Sequence, residues 1–348
     1  MIRRKETLPV KVGSLIIGGK QPIVVQTMTK TDTKDIKSTI AQIKQIESYN
    51  CKLIRLAVPD MEAAEAFKKI KESVSAALVA DIHFDYKIAI ECIKNKADKI
   101  RINPANIKDK SKIAEIIKVA KEYNTPIRVG FNAGSYKVAI KDPKEKLLHQ
   151  IEDYINLFEK HNFKSIVISA KTSDVISTVE IYQILSQKYN YPLHIGITEA
   201  GPTFDGIIKS TLGIGILLWH GIGDTIRVSL TSSPIDEVKV GYYILQYLNL
   251  LNYGIEIISC PTCGRCKVDL INIVAKFEKI LEKKNLRYKN LKVAIMGCEV
   301  NGPGEASSAD IGIAMGKNFG VLFLKGKIVK KISYKDCIEE LIHQIEKI

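Results

Sequence analysis

Eight short runs rich in β-branched and apolar residues recur over the first two thirds of the chain, each followed by a longer stretch of helical periodicity. They cover residues 22–28, 52–58, 77–83, 99–104, 126–132, 165–171, 193–199 and 225–230. Runs this short suit buried strands. Stretches such as 39–49, 61–74 and 113–123 space their apolar residues three and four apart and predict amphipathic helices. Strand and helix alternating eight times predict an α/β fold, a (β/α)8 TIM barrel. A doubly wound sheet is the alternative, since one sequence does not give strand order. Polar residues close nearly every run: Gln26 and Thr27, Asp81 and His83, Arg101 and Asn103, Arg128 and Asn132, Ser169 and Lys171, Thr198 and Glu199, Arg227 and Ser229. In a barrel those ends meet at one mouth, where active sites are built, and this favours the barrel. Residues 10–19, ending in Gly18-Gly19, predict a hairpin over the barrel bottom, and a helix over 235–251 closes the last unit.

From about residue 254 the rhythm changes. A cysteine-bearing turn, a helix over 268–282, strands at 293–296, 310–314 and 320–324, a hairpin turn at Lys325-Gly326-Lys327 and a final helix over 334–348 predict a small α/β unit. The expected organisation is a substrate-binding barrel over 1–253 and a second domain over 254–348, and 348 residues suffice for both.

No apolar run reaches the roughly 18 residues that cross a bilayer. The basic residues of 1–11 lead into no signal-peptide core. A reducing, cytoplasmic setting is expected, where clustered cysteines serve metals more often than disulfides. The formal charge of +14 is spread along the chain rather than set in blocks with aromatics. That argues against a nucleic-acid surface and for a small anionic substrate or an acidic redox partner. Arginine is scarce, 8 against 44 lysines, and four of the eight (Arg55, Arg101, Arg128 and Arg227) fall inside proposed barrel strands. Buried guanidinium groups require carboxylates or an anionic ligand. Pairing with Asp81, Asp224 or Glu199 answers part of this demand. With Lys171 added, the cations outnumber those carboxylates, and a diphosphate suits guanidinium forks.

Four of the seven cysteines lie in two short stretches: Cys260-Pro261-Thr262-Cys263-Gly264-Arg265-Cys266, and Cys298 at the head of a segment running through Gly302-Pro303-Gly304 to Glu305. Thiolates two residues apart in a turn reach one metal centre, and a cysteine from a distant strand end closes the shell. Zinc remains an alternative, although the second stretch offers one cysteine and no nearby histidine. A radical S-adenosylmethionine triplet needs a wider first gap. An iron–sulfur cluster on Cys260, Cys263 and Cys298, with Cys266 or Glu305 as fourth ligand, is the leading reading, and the following helix would aim its amides at the anionic cluster. Cys51, Cys92 and Cys337 sit in apolar contexts and read as core residues.

The stretch CPTCGR, followed by GCEVNGPGEASSADIGIA, resembles the 4-hydroxy-3-methylbut-2-enyl diphosphate synthase family. VQTMTKTDT, ADIHFDY, KIRINPANI, RVGFNAGS, LHIGITEAGP and GIGDTIRVSLT agree in order, so the likeness runs from about residue 10 to 330. The resemblance implies a [4Fe–4S] cluster on Cys260, Cys263, Cys298 and Glu305, with Cys266 outside the family set. Carboxylate is a harder, more labile ligand than thiolate, so Glu305 would free one iron for substrate oxygen. It also implies 2-C-methyl-D-erythritol 2,4-cyclodiphosphate as substrate, opened by two-electron reduction with loss of water. Arg55, Arg101, Arg128, Lys171 and Arg227 would hold the diphosphate, with Asn103, Asn132 and Ser229 as uncharged donors. Asp81 and Glu199 would face the hydroxyl groups, Glu199 giving acid–base assistance. His83 and His194 are further pocket candidates, His194 reading more readily as a structural histidine. A ferredoxin or flavodoxin would supply electrons to a head-to-tail homodimer in which each cluster domain caps the partner's barrel. Two other classes stay open: a metal-binding nucleic-acid regulator, and a barrel whose cluster is purely structural.

Overall fold

The architecture is that of a computed structural model, which describes residues 2–103, 106–107, 109–132, 143–298 and 308–348. The chain divides into two compact units, Met1–Leu251 and Asn252–Ile348.

The first unit opens with an antiparallel hairpin, β1 (Val10–Val12) and β2 (Leu15–Ile17). Eight parallel strands follow: β3 (Val24–Met28), β4 (Leu53–Ala57), β5 (Ala77–Ile82), β6 (Lys99–Ile102), β7 (Ile127–Asn132), β8 (Ile166–Lys171), β9 (His194–Ile195) and β10 (Thr225–Ile226). Neighbours follow chain order from β3 to β8, β9 pairs with β10, and β10 returns to β3. The Ile168–Leu193 bridge joins β8 to the β9 side and closes the ring. The barrel expected from the alternation is therefore formed.

Between the strands lie α1 (Ile36–Glu47), α2 (Met61–Lys71), α3 (Tyr86–Lys94), α4 (Lys110–Glu122), α5 (Pro143–Lys160), α6 (Val175–Lys188), α7 (Thr203–Trp219) and α8 (Pro234–Tyr247). Asp35, Asp60, Asp85, Asp109 and Asp174 each accept a backbone N–H of the first turn of α1, α2, α3, α4 and α6. A carboxylate there satisfies an orphan amide and meets the positive end of the helix dipole, so these caps turn the chain from strand into helix at the barrel mouth.

The opening hairpin lies where it was expected. Val10, Val12 and Ile17 pack with Leu53, Ala77, Val79 and Val167, and Leu53 and Ala77 are the first residues of their strands. The barrel floor is thus packed with apolar side chains. The segment before it laces across β9 and β10: Lys5 N–H donates to Gly221 O (3.0 Å) and Leu8 N–H to Asn190 O (2.8 Å). Asp224 accepts from Thr7 Oγ1 (3.0 Å), Arg4 Nη2 (3.3 Å) and Leu193 N–H (2.9 Å). These two strands are only two residues long, against the seven and six expected. Gly196, at φ 152°, turns the chain out of the sheet, where a Cβ would lie 2.3 Å from Arg227 O.

The second unit is a five-stranded mixed sheet, ordered β11 (Glu256–Ser259), β12 (Lys292–Met296), β13 (Ile311–Met315), β14 (Phe319–Leu324) and β15 (Lys327–Ser333). The first three strands run parallel and the last two pair antiparallel. Helices α9 (Leu270–Lys283) and α10 (Cys337–Lys347) cover one face, where Phe277, Leu281, Leu341 and Ile345 meet Val293, Ile295, Ile311 and Ile313. The expected turn at Lys325-Gly326 has both residues left-handed (φ 46° and 76°), as a two-residue hairpin loop requires. β11 and β15 were not anticipated. β15 is a lysine-rich edge strand exposed along nearly its whole length and so carries no apolar alternation.

Because the floor is sealed by apolar packing, Ile17→Ala is expected to destabilise the barrel by about 3 kcal/mol. Denaturant unfolding followed through a probe in the barrel measures this directly.

Candidate active site

The register of the strands decides which residues meet. Asp81 on β5 lies level with Arg101 on β6, and Arg101 level with Arg128 on β7. One residue type per strand end would be unremarkable; three charged residues in one layer make a site. Arg55, Arg101, Arg128, Lys171, Arg227 and Ser229 all line one cavity of about 80 Å³ at the mouth. Ser169, His194 and Thr198 complete its walls.

Among the described residues two carboxylates are set into this cationic surround. Asp81 is fully buried and accepts from Arg55 Nη2 (2.6 Å) and Arg101 Nη1 (3.1 Å), with His83 Nε2 at 3.2 Å. Burial alone would raise its pKa, but Arg55, the His83 contact and Arg101 outweigh burial and hold the carboxyl well below the usual range. Asp81, expected to face the substrate hydroxyls, is engaged by these cations. It is not part of the cavity wall and instead fixes two guanidinium groups that are. Glu237 on α8 is the second carboxylate and was missed in the sequence. It accepts from Thr27 Oγ1 (2.7 Å) and Leu230 N–H (3.1 Å), and Arg227 Nη2 lies 3.7 Å away. Asp224, considered as a partner for the strand arginines, pairs with Arg4 instead.

The pairing leaves a surplus. Arg128 is almost wholly buried and donates from Nη1 to Gln26 Oε1 (3.1 Å), a neutral acceptor. The Nε atoms of Arg55, Arg128 and Arg227 have no hydrogen-bond partner among the described residues. Burial first, then Arg55 and Arg101, push the Arg128 guanidinium well below its ordinary pKa. Burial, then Arg128 and Arg227, do the same to Lys171. Lys171 Nζ lies 3.0 Å from His194 Nε2, and His194 Nδ1 lies 2.7 Å from Thr225 Oγ1. Burial and the neighbouring cations keep His194 well below its usual pKa, so it faces the cavity as a neutral ring. The structural role expected of His194 and a place in the pocket are thus both seen. Two glycines make room for the cations: a Cβ at Gly130 would lie 2.7 Å from Arg101 Nε, and one at Gly196 2.9 Å from Lys171 Nζ.

The remaining barrel candidates sit differently. Glu199 is exposed at the end of its segment, outside the cavity wall, and is held at φ 51°, a conformation uncommon for a residue with a Cβ. Asn103 is buried and its carbonyl accepts from Asn106 N–H (3.0 Å). Asn132 ends β7 level with Lys171, while its side chain lies outside the described residues.

The cysteine edge belongs to the second unit. β11 and β12 are parallel neighbours with Ser259 level with Ile295, so Cys260 and Cys298 leave the same end of the sheet. Lys267 N–H donates to Gly297 O (3.1 Å), tying the cysteine turn to the residue before Cys298. Within the turn, Cys266 N–H donates to Cys263 O (2.9 Å), and Thr262 is left-handed at φ 65°. A Cβ on Gly297 would meet Cys266 Sγ at 2.5 Å, so only glycine admits that thiol. All four cysteines are free, and Cys263 is exposed. Among the described residues no three His, Cys, Asp or Glu side chains stand close enough to hold a metal ion. Glu305 lies outside the described residues. The donor set nevertheless fits a thiolate-bound centre: soft ligands, delivered by adjacent strand ends beside the Asp269-capped start of α9.

Comparison with known proteins decides the family. "GcpE TIM-barrel domain" matches residues 7–242 and "GcpE protein C-terminal domain" residues 256–347. The chain belongs to the GcpE family. A relative from Ruminiclostridium cellulolyticum named 4-hydroxy-3-methylbut-2-en-1-yl diphosphate synthase (flavodoxin) is 51% identical, covering 99% of this chain and 98% of the relative. The protein of that name from Clostridium perfringens is 50% identical, with both chains covered completely (100%). Among solved structures, the dihydropteroate synthase of Yersinia pestis aligns with a TM-score of 0.53 at 11% identity, over 70% of this chain and 100% of that one. At that identity the likeness extends to the barrel fold alone.

Removing Asp81 would leave Arg55 and Arg101 buried without their carboxylate. Asp81→Asn is expected to cost about 3–5 kcal/mol, read by denaturant unfolding at neutral pH. Since the folded pKa is depressed, the contribution of Asp81 is full above its unfolded value, near 4. It is lost only as pH falls through the lower folded value, so the gap between wild type and Asp81→Asn closes only in strong acid.

Proposed function

We propose that this chain converts 2-C-methyl-D-erythritol 2,4-cyclodiphosphate to (E)-4-hydroxy-3-methylbut-2-enyl diphosphate, by two-electron reductive ring opening with loss of water. It is an oxidoreductase of the methylerythritol phosphate route to isoprenoids, as the name shared by its full-length relatives supports. The observation that carries the substrate assignment is the surplus of buried guanidinium donors at the barrel mouth, which a diphosphate would satisfy.

Arg55, Arg101, Arg128, Arg227 and Lys171 bind the diphosphate, and Ser229, Asn103 and Asn132 add uncharged donors. As the carbon–oxygen bond to the ring diphosphate breaks, negative charge grows on the departing phosphate oxygen. The guanidinium groups already aimed there stabilise it without reorganising. In this reading Glu199, exposed beyond the end of its strand at φ 51°, assists the loss of water by giving a proton to the departing hydroxyl. Asp81 keeps Arg55 and Arg101 oriented throughout.

The family is one of iron–sulfur enzymes. In this chain Cys260, Cys263, Cys298 and Glu305 would hold a [4Fe–4S] cluster, which when bound supplies electrons one at a time. Flavodoxin, which the relatives' names carry, is the electron donor this reading takes, with ferredoxin as the other carrier of that type. The basic chain suits an acidic partner of either kind. The working assembly is a homodimer in which the cysteine unit of one copy serves the barrel of the other, in the cytoplasm. No helix among the described residues is long and apolar enough to cross a membrane.

Protein purified without oxygen is expected to contain about four irons and four acid-labile sulfides per chain, and Cys298→Ala to lose most of both. Arg128→Ala should keep the iron and lose turnover with the cyclic diphosphate by at least ~100-fold, since a buried charged donor is worth about 3 kcal/mol or more. Zinc without sulfide would overturn the reductase reading. In mixed dimers, an Arg101→Ala chain with a Cys298→Ala chain should retain one working site, and complete loss would count against the shared-site assembly.

A further inference from the structure

Lys99 opens β6 and is fully buried, yet its Nζ has no hydrogen-bond partner among the described residues. Strand register sets it between two unlike surroundings. Level with it on β5 is Val79, which belongs to the apolar floor with Val10, Val12 and Ile17. Two residues nearer the mouth on its own strand is Arg101, flanked at that level by Asp81 on β5 and Arg128 on β7. Arg55 on β4, Lys171 on β8 and His194 on β9 face the same interior, with the Arg227–Glu237 pair beyond them. Burial, then the charges of Arg128 and Arg55, hold the Lys99 ammonium well below the lysine range, and Lys99 in turn contributes to the depression of His194.

A solitary ammonium in such a place gives up its proton rather than persist, and a solitary amine is still a buried donor without an acceptor. An apolar side chain of the same length would suit the floor better. Neither stability nor contact with a ligand accounts for the amine, because Lys99 is not part of the cavity wall.

We propose that Lys99 is a proton acceptor built into the floor of the anion site, an uncharged amine in the empty barrel that becomes an ammonium when a diphosphate binds above it. This rests on the diphosphate reading of the cavity. The bound anion reverses the sign of the local potential, so the amine takes one proton from solvent and its nitrogen lone pair becomes the new N–H bond. The chemistry of the substrate gives that proton a use. A cyclic diphosphate carries one ionisable oxygen on each phosphorus, and opening the ring creates a third. The site must then neutralise an additional negative charge, and a protonated Lys99 does so without any side chain moving. Lys99 is a positioning residue in this scheme, acting on the substrate through the field it adds to that of the arginines. Affinity for diphosphate should fall as pH rises through the interval between the empty-state and bound-state pKa of Lys99.

The test is calorimetric titration of the whole protein with inorganic pyrophosphate, in two buffers of different ionisation enthalpy at the same pH, for wild type and Lys99→Met. The wild type is expected to take up about one more proton per pyrophosphate than Lys99→Met. The variant should bind about tenfold more weakly near neutrality, with a shallower dependence on pH. Equal proton uptake by the two proteins overturns the proposal while leaving the diphosphate site intact. No pyrophosphate binding by the wild type overturns the diphosphate reading and this proposal with it. Should Lys99→Met and Lys99→Leu both fail to fold, the amine is a structural member of the core and the proposal is wrong.

Discussion

Buried positive charge without enough negative charge to match it is the constraint on which the barrel is organised. Four arginines and Lys171 surround one cavity, while Asp81 and Glu237 are the carboxylates set among them. Each carboxylate is itself enclosed and tied by hydrogen bonds, and Asp81 already serves both Arg55 and Arg101. The consequence reaches the backbone: Gly130 and Gly196 are positions where a Cβ would strike Arg101 or Lys171. The floor beneath is packed with apolar side chains beside Lys99. Water admitted from below would screen the field that the cations create.

Much of this was legible in the chain because the two signals that matter are local. Strand runs with apolar bodies and polar C-terminal ends have one efficient solution, and the placement of scarce arginines inside those runs located the cavity before any geometry was known. Roles within the cavity were less legible. Asp81 was read as facing ligand, and its ties to Arg55, Arg101 and His83 are a matter of strand register that spacing along the chain cannot show. Glu237 escaped notice because it lies in a helix, where a glutamate beside Asp236 reads as an ordinary first-turn acid. His194 both satisfies its ring nitrogens and lines the cavity, so a choice between structural and pocket roles was falsely sharp.

The second unit shows where pattern fails for another reason. β15 has a single buried residue, Ile332, among seven, and its strand character comes from pairing with β14. The cysteines were easy to find and hard to arrange. What sequence could not supply is the parallel pairing of β11 with β12, which sends Cys260 and Cys298 from one sheet end, and the glycine at 297 that lets Cys266 Sγ approach so closely. That approach puts the Cys266 thiol against the backbone of the segment that leads to Cys298.

The lacing of residues 4–8 across β9 and β10 bears on the order in which the molecule can be assembled. Lys5, Thr7 and Leu8 find their partners at Gly221, Asp224 and Asn190, nearly two hundred positions or more further along the chain. These contacts cannot form until most of the barrel has been synthesised. Contacts so distant in sequence slow folding, because the loop they close is long and its entropy is lost before the contact forms. The shortest strands of the ring are thus held by contacts that span most of the barrel's sequence.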